Sequence, residues 1–311
     1  MHAMALTEYG EPAVLSLTEL DDPTPAPDTV IIKTTAAGVN PVDWKIVAGF
    51  LQGAFPHYLP LVPGWDVSGE IIAVGPAVQE WAEGDEVIGY VRHDHVADNG
   101  SYAELVAAHP RHLARKPESV DAVTASALPL AGLTALQSLR LAGVGPDDVV
   151  LVHAAAGGVG SFAVQIAVHR GATVIGTASE SNHAYLRDLG AIPVTYGDGL
   201  ADRVRSAAPE GRITASVDYV GTTEAIQTAR ELITDPSRSV SNVDGQAITE
   251  AGGRYSFVRP QADDLLALSR LVDEGAVRIE VQDTYPLAEA AAALEASKGG
   301  HVRGKLALTV S

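Results

Sequence analysis

The run Ala154-Ala155-Ala156-Gly157-Gly158-Val159-Gly160 has the residue types and spacing to hold a dinucleotide. It reads G-x-G-x-x-A from Gly158, or A-x-x-G-x-x-G from Ala154. A residue without Cβ allows a tight turn, and another lets the backbone approach a pyrophosphate. Small side chains at Gly160 and Ala163 let a helix pack on a sheet. The unpaired amides that open this helix then face the phosphates. Context lifts the motif above a chance match. Residues 149–153 before it form an apolar run of strand length, and Ala163, Ile166 and Ala167 after it share one helical face. Glu180 stands 20 residues past Gly160, where an acid holds the ribose hydroxyls of NAD. It equally suits the first turn of a helix, where the macrodipole favours an acid. Thr177-Ala178-Ser179 fills the strand end before it, so the residues alone leave NAD and NADP open.

His93, Asp94, His95 and Asp98 place ligand-type side chains within six residues. They lie in a polar stretch ending at Asn99-Gly100 and read as a solvated loop, so no metal site is expected. The absence of cysteine excludes disulfides and thiolate metal sites.

The elements that must position these groups change character along the chain. Residues 1–117 are β-rich, with alternating or β-branched runs at 30–35, 68–74, 86–91 and 102–106 between Pro- and Gly-containing turns. From Asp121 helices and strands alternate. A helix over 123–142 ends at Gly143, and the glycine-turn unit follows. Next come a strand over 173–178, a helix near 183–189, a strand at 193–196, a helix near 201–207 and a strand over 215–220. A helix at 224–232 and strands near 239–243 and 254–258 complete the series. Such βαβ alternation predicts a doubly wound parallel sheet. Beyond Pro260 a helix (262–274), a strand (278–284), a helix (287–297) and a strand (305–310) form a tail too short for a third domain. It is expected to fold back onto the first.

A length of 311 residues suits about two domains. An apolar content of 46% with 19% charged residues supplies ample core. No apolar run approaches a membrane span and no export signal opens the chain, so a cytoplasmic protein without a membrane partner is expected. A formal net charge of −18 disfavours nucleic acid, while a local basic pocket for one phosphorylated cofactor is compatible with it.

Five separated segments carry a resemblance. They are Ala36-Ala37-Gly38-Val39-Asn40-Pro41-Val42-Asp43, Pro63-Gly64-Trp65-Asp66-Val67-Ser68-Gly69, Leu128-Pro129-Leu130-Ala131-Gly132-Leu133-Thr134-Ala135, the AAAGGVG turn, and His301-Val302-Arg303-Gly304-Lys305. In this order they resemble the zinc-independent medium-chain dehydrogenase/reductases, in particular the quinone oxidoreductase and 2-alkenal reductase branch. The resemblance implies an α/β fold, with a Rossmann doubly wound parallel sheet (residues 122–259) inserted into a GroES-like β-rich catalytic domain (residues 1–121 and 260–311). The active site is then expected in the cleft between them. It further implies hydride transfer from NADPH to a quinone or α,β-unsaturated carbonyl, and a homodimer with residues 254–258 as a candidate seam. The zinc alcohol dehydrogenases of the wider superfamily carry a cysteine ligand where Asn40 stands and a histidine where Trp65 stands. An amide and an indole are not useful zinc ligands. Without a Lewis acid an isolated ketone loses its activation, whereas an enone or quinone spreads negative charge onto a distant oxygen.

Residue by residue, the resemblance assigns cofactor contacts to Ala156, Gly157, Gly158, Val159 and Gly160, and to Thr134 near the ribose or nicotinamide. Backbone groups near Val220-Gly221 and Phe257-Val258 would fix the carboxamide. Around a 2′-phosphate it matches Ser179, preceded by Thr177, and Tyr196. His183, beside Asn182, stands where the family has Lys, and Arg303 and Lys305 are candidate charges from the tail. Asn40 and Lys45 resemble residues beside the nicotinamide ribose and substrate, where an amide or ammonium can donate to a developing enolate. Asp43 either acts there or holds the loop. Trp44, Phe55, Tyr58 and Trp65 are candidates for a flat apolar substrate pocket, with core packing as the alternative for each. No general acid stands out, so solvent is expected to deliver the proton. An enoyl-type reductase of a biosynthetic pathway, or a dinucleotide-binding regulatory protein without turnover, fits the same fold.

Overall fold

The β-branched runs of the N-terminal third pair with strands from the C-terminal tail, while the middle of the chain forms a sheet of its own. The computed structural model describes residues 1–93 and 100–310. Two units result: Met1–Leu130 with Pro260–Gly275 and Ile279–Ser311, and Ala131–Arg259 with Ala276–Arg278. In chain order the first unit begins with β1 (His2–Ala5), β2 (Ser16–Glu19), β3 (Val30–Val39), α1 (Pro41–Val47), β4 (Asp66–Val74), β5 (Glu86–Tyr90), β6 (Leu105–Ala108), β7 (Leu113–Arg115) and α2 (Ala122–Ser126). After α3 (Pro129–Leu141) come β8 (Val149–Val152), α4 (Gly158–His169), β9 (Thr173–Thr177), α5 (His183–Asp188), β10 (Ile192–Val194) and α6 (Leu200–Ala207). Then follow β11 (Ala215–Asp218), α7 (Thr223–Leu232), β12 (Ser239–Ser241), α8 (Gly245–Glu250) and β13 (Arg254–Tyr255). The tail contributes α9 (Ala262–Asp273), β14 (Val281–Pro286), α10 (Ala290–Gly299) and β15 (Lys305–Thr309).

Both chain ends build one sheet in the first unit, in the order β14-β15-β3-β4-β5-β7, with β6 on β3. Val30, Ile32, Val67, Ile71, Val87 and Leu113 form its core cluster. The antiparallel pairing of β15 with β3 sets Leu306 opposite Val39. Lys305 is thereby delivered to the end of β3, where Asn40 starts α1.

The second unit is a parallel sheet in the order β10-β9-β8-β11-β12-β13. Numbered from β8, this is the 3-2-1-4-5-6 order of a Rossmann fold, whose direction reverses between β8 and β11. Ligands bind beyond the carboxyl ends of the strands at such a reversal. Val150, Leu151, Val152, Val174, Ile175 and Val217 are buried in this sheet, as a parallel sheet covered on both faces requires. Each such side chain contributes roughly 1.5–3 kcal/mol on burial.

Several elements differ from the sequence expectation; the strand expected at 102–106 is Leu105–Ala108, and an unexpected helix, α8, precedes β13. The single helix over 123–142 is two, α2 and α3, broken at Pro129, which has no N–H to continue a helix. The strand near 254–258 is only Arg254–Tyr255, because its partner β12 offers three residues. The strand expected over 278–284 is shifted to Val281–Pro286, against β15. Among the described residues no helix is long and apolar enough to cross a membrane.

Candidate functional site

In the second unit, β8 ends in a turn that only small residues can make. Ala154 sits at a φ of 53°, a left-handed conformation that is costly for a residue with Cβ. Two bonds to the neighbouring strand end hold it: the Ala154 N–H donates to Thr177 Oγ1 (3.1 Å) and the Ala155 N–H to Thr177 O (3.0 Å). A Cβ at Gly160 would lie 2.2 Å from Ala154 O, so glycine is obligatory where α4 crosses the turn. No side chain caps the N-terminus of α4 at Gly157. The first amides of the helix, at Gly158, Val159 and Gly160, are left without intrahelical acceptors. Residues of this kind fit a pyrophosphate.

Beside the turn, Asp218 ends β11. Its Oδ1 accepts from the N–H groups of Val220 (2.9 Å) and Gly221 (3.0 Å), and Ser241 Oγ donates to Oδ2 (2.8 Å). Asp218 therefore holds the Val220–Gly221 turn, where Gly221 has a φ of 72°. Buried His153 lies at the end of the adjacent strand. Burial pushes its imidazole down to about 4, against the opposing pull of Asp218, so a neutral ring underlies the reversal point. Thr134 is buried on α3, whereas Phe257 is exposed and packs against Tyr255 with ring centroids 6.4 Å apart. Val258, next to it, is half-buried.

The end of β9 carries a hydroxyl-rich cluster. Ser179 Oγ lies 3.0 Å from Ser181 Oγ and accepts from Asn182 Nδ2 at 3.2 Å. His183 Nε2 lies 3.4 Å from Thr195 Oγ1, and Tyr196 next to Thr195 is exposed. Arg203 braces this loop, donating to the carbonyls of Thr195 (2.9 Å), Gly197 (2.6 Å) and Asp198 (2.6 Å). Glu180 is exposed in the turn before Asn182. Asn182 thus meets Ser179, and His183 meets Thr195, the chain neighbour of Tyr196. Thr177 departs from the cofactor role expected of it: its buried hydroxyl holds the glycine turn.

In the first unit, the start of α1 sits on a buried polar cluster. The carboxylate of Asp43 accepts from the Asn40 N–H (2.8 Å) and from Tyr102 Oη (2.9 Å), the first being one arm of a capping box. Asn40 Nδ2 donates to Asp66 Oδ2 (2.9 Å), and Asp66 Oδ1 accepts from the Leu130 N–H (2.8 Å). The Lys305 ammonium donates to Val39 O at 2.7 Å and to Asn40 Oδ1, and lies 3.9 Å from Asp66. All four of Asn40, Asp43, Asp66 and Lys305 are at most 4% exposed. Burial raises Asp43 to about 7, although the bonds from Asn40 and Tyr102 oppose it. Burial likewise raises Asp66 to about 6 against the pull of Lys305, and lowers Lys305 against the pull of both acids. Two carboxyls facing one ammonium leave the cluster able to retain a proton near neutrality.

This geometry corrects the expectation for Lys305 and bears on those for Asp43, Asn40 and Trp65. Lys305 is not a surface charge for a phosphate, because its ammonium is sealed onto Val39 and Asn40. Asp43 is fully buried and holds the loop, one of its two expected roles. Asn40 has its carboxamide oxygen on Lys305 and one amide proton on Asp66. Trp65 is core, packed near Tyr90 with centroids 6.0 Å apart. Arg303 is matched locally, its guanidinium 3.5 Å from Glu280. Lys45 is half-buried on α1, with Nζ 5.7 Å from the Trp44 ring centroid. Trp44 meets Phe50 edge-on at 5.8 Å, Phe55 is half-buried and Tyr58 is exposed.

At the two expected ligand positions stand a carboxamide already held by an ammonium and a core indole, and no group of three or more ligand-type side chains is arranged for a metal among the described residues. Asp94, His95 and Asp98 lie outside the described residues. The sequence had pointed to neither Asp218 and His153 nor Tyr102, Thr195 and Arg203. Tyr102 meets Asp43 59 residues away and Asp218 meets Ser241 23 away, whereas Arg203 and Thr195 find their partners within 12 residues.

Residues 26–118 match the alcohol dehydrogenase GroES-like domain, and residues 188–308 match the domain described as zinc-binding dehydrogenase. A chloroplast envelope quinone oxidoreductase homolog of Arabidopsis thaliana is 31% identical, with 98% of this chain and 97% of that one covered. An NADPH-dependent alkenal/one oxidoreductase, chloroplastic, of the same plant is 32% identical over 98% of this chain and 78% of its own. Among solved structures, the quinone oxidoreductase from Coxiella burnetii superposes with a TM-score of 0.88 at 34% identity, covering 100% of this chain and 99% of its own. A mycobacterial protein complexed with NADPH gives 0.83 at 30% identity, covering 99% and 100%.

Proposed function

Because the chain belongs to the medium-chain dehydrogenase/reductases, in the branch of quinone oxidoreductases and alkenal/one reductases, we propose that it reduces quinones or α,β-unsaturated carbonyls with NADPH and without zinc. When bound, the reduced nicotinamide supplies a hydride. The open amides of α4 hold the pyrophosphate, and Asp218 fixes the Val220–Gly221 turn at the strand reversal. Ser179, Asn182, His183 and Tyr196 receive the 2′-phosphate. As hydride reaches the β-carbon of an enone, or a quinone ring, electrons move onto a carbonyl oxygen. The Lys45 ammonium stabilises that oxygen, and water returns the proton. Asn40, Asp43 and Lys305 keep α1, which carries Lys45, in place.

One observation supports this reading: Asn40, at the position where the zinc relatives carry a cysteine, has its carboxamide oxygen on the Lys305 ammonium. Conjugated acceptors need no Lewis acid to delocalise the incoming charge, whereas simple ketones do. The relative named as NADPH-dependent and the neighbour complexed with NADPH support the choice of coenzyme. The test is loss of NADPH absorbance with quinones, enones and saturated ketones, before and after chelator treatment. Turnover of the conjugated acceptors alone, unaffected by the chelator, is expected. Turnover of ketones that stops on chelation defeats the proposal. We also propose a homodimer joined through β13, an edge strand that carries exposed Tyr255 and is followed by exposed Phe257.

A further inference from the structure

We propose that the acceptor carries an extended apolar arm and lays it across Trp44 and Phe50, so that this aromatic pair selects acceptors by chain length. The inference rests on the reading above that Lys45 receives the acceptor's oxygen, and it names the class of acceptor that reading leaves open.

Composition sets the segment apart. From Ile46 to Trp65 there is no Asp, Glu, Lys or Arg, although 19% of the chain is charged. Much of the segment is nonetheless at the surface. Phe50 is 68% exposed, more than any other large apolar residue described, and Tyr58 and Leu59 further along are exposed too. One exposed apolar residue needs no explanation, but an uncharged surface run with an aromatic ring fixed at its head does. The end of α1 fixes that ring. Gly49, at a φ of 77°, closes a Schellman motif: its N–H donates to Ile46 O and the Phe50 N–H to Lys45 O, both at 2.9 Å. Phe50 is thereby turned back onto Trp44, edge-on with centroids 5.8 Å apart. The Tyr9 ring packs against the turn, its Cγ 3.2 Å from where a Gly49 Cβ would be, and its hydroxyl lies 3.1 Å from His57 Nδ1.

Three groups follow one another at this end of α1. The Lys45 ammonium lies 5.7 Å from the Trp44 ring centre, and that ring 5.8 Å from Phe50. An extended carbon chain advances about 1.2 Å per bond. With the acceptor's oxygen about 2.8 Å from the ammonium, an arm of about three carbons beyond the carbonyl covers Trp44, and one of about seven covers both rings. A fully buried methylene is worth about fourfold in binding, and one laid on an open ring face about twofold. Selection should therefore rise with each carbon and stop once Phe50 is covered.

The test is kcat/KM of the whole protein with NADPH and straight-chain 1-alken-3-ones whose alkyl arms run from methyl to decyl. Wild type should gain about twofold per carbon, roughly sixtyfold from one carbon to seven, and then level off. Phe50→Ser, at an exposed position, should level off after about three carbons, so that its ratio of seven-carbon to three-carbon kcat/KM falls about tenfold below wild type. Phe50→Leu should restore most of that ratio, whereas a merely structural role for Phe50 would change all arms alike. A flat series in wild type, or a rise that persists unchanged in Phe50→Ser, overturns the inference, while turnover of the series leaves the functional reading standing. A persisting rise joined to a changed oligomeric state of Phe50→Ser in sedimentation assigns the face to a second copy of the chain and likewise overturns it. If neither the enones nor quinones oxidise NADPH, the functional reading falls as well.

Discussion

Gly160→Ala is the perturbation whose outcome follows most directly from the geometry. The new methyl would lie 2.2 Å from Ala154 O and 2.7 Å from Ala155 Cα. Ordinary contact begins at 3.4 Å, so the turn and the helix must part by about 1.2 Å. Neither neighbour is a flexible side chain, so the backbone has to move, and overpacking of this kind costs about 1–3 kcal/mol of fold stability. The same movement displaces the amides that open α4. Losing two charge-assisted hydrogen bonds to a pyrophosphate costs about 3 kcal/mol or more, roughly a hundredfold in Kd. Fluorescence titration with NADPH, run beside thermal unfolding by circular dichroism, reads both effects. Gly157→Ala is the control for the fold: its φ of −78° suits any residue, and the nearest atom to its Cβ is Ala154 O at 3.4 Å. Gly160→Ala with an unchanged melting temperature and a Kd within about threefold of wild type would refute the packing argument.

Other consequences are open to measurement. Asp43, raised to about 7 by burial, keeps a proton when folded that the unfolded chain releases near pH ~3.9, so its contribution to stability is full below that value and is lost as pH rises to about 7. Asp43→Asn stays neutral and still accepts from Asn40 and Tyr102; it should gain about 1–3 kcal/mol on wild type between about pH 5 and 8 in urea unfolding, and parallel pH profiles would contradict this. Lys305→Met strips the ammonium from Asp66 and should destabilise by about 3–5 kcal/mol, with more than half recovered in Lys305→Met/Asp66→Asn. Equal stability of the two variants would show that the pair is not coupled. Lys45→Ala should slow single-turnover hydride transfer on the order of 10²–10³-fold with NADPH affinity little changed; an unaltered rate retires Lys45 as the electrophile.

Local chemistry in the chain revealed the local parts of this molecule. Gly158 and Gly160 follow directly on a β-branched run, and turn, strand and helix all lie within one short segment. The Rossmann order then follows from alternation, because parallel strands need crossovers. Lys305 was misread for the opposite reason. Its partner Asn40 is 265 residues away, and a lysine in a polar-looking Arg-Gly-Lys run gives no sign that β15 will bury it against β3. Asp66 and Asn40, like Asp218 and Ser241, meet only through strand pairing. The break at Pro129 was readable from proline chemistry, yet the apolar periodicity on either side concealed it.

The most direct test of metal-free hydride transfer uses chelator-treated, metal-analysed protein and NADPH deuterated at the transferable nicotinamide position. The product of one turnover with an enone is then examined by mass spectrometry and NMR. Deuterium at the β-carbon, formed at the same rate with and without added zinc, is the predicted result. Product without deuterium, or product that forms only once zinc is restored, would contradict it.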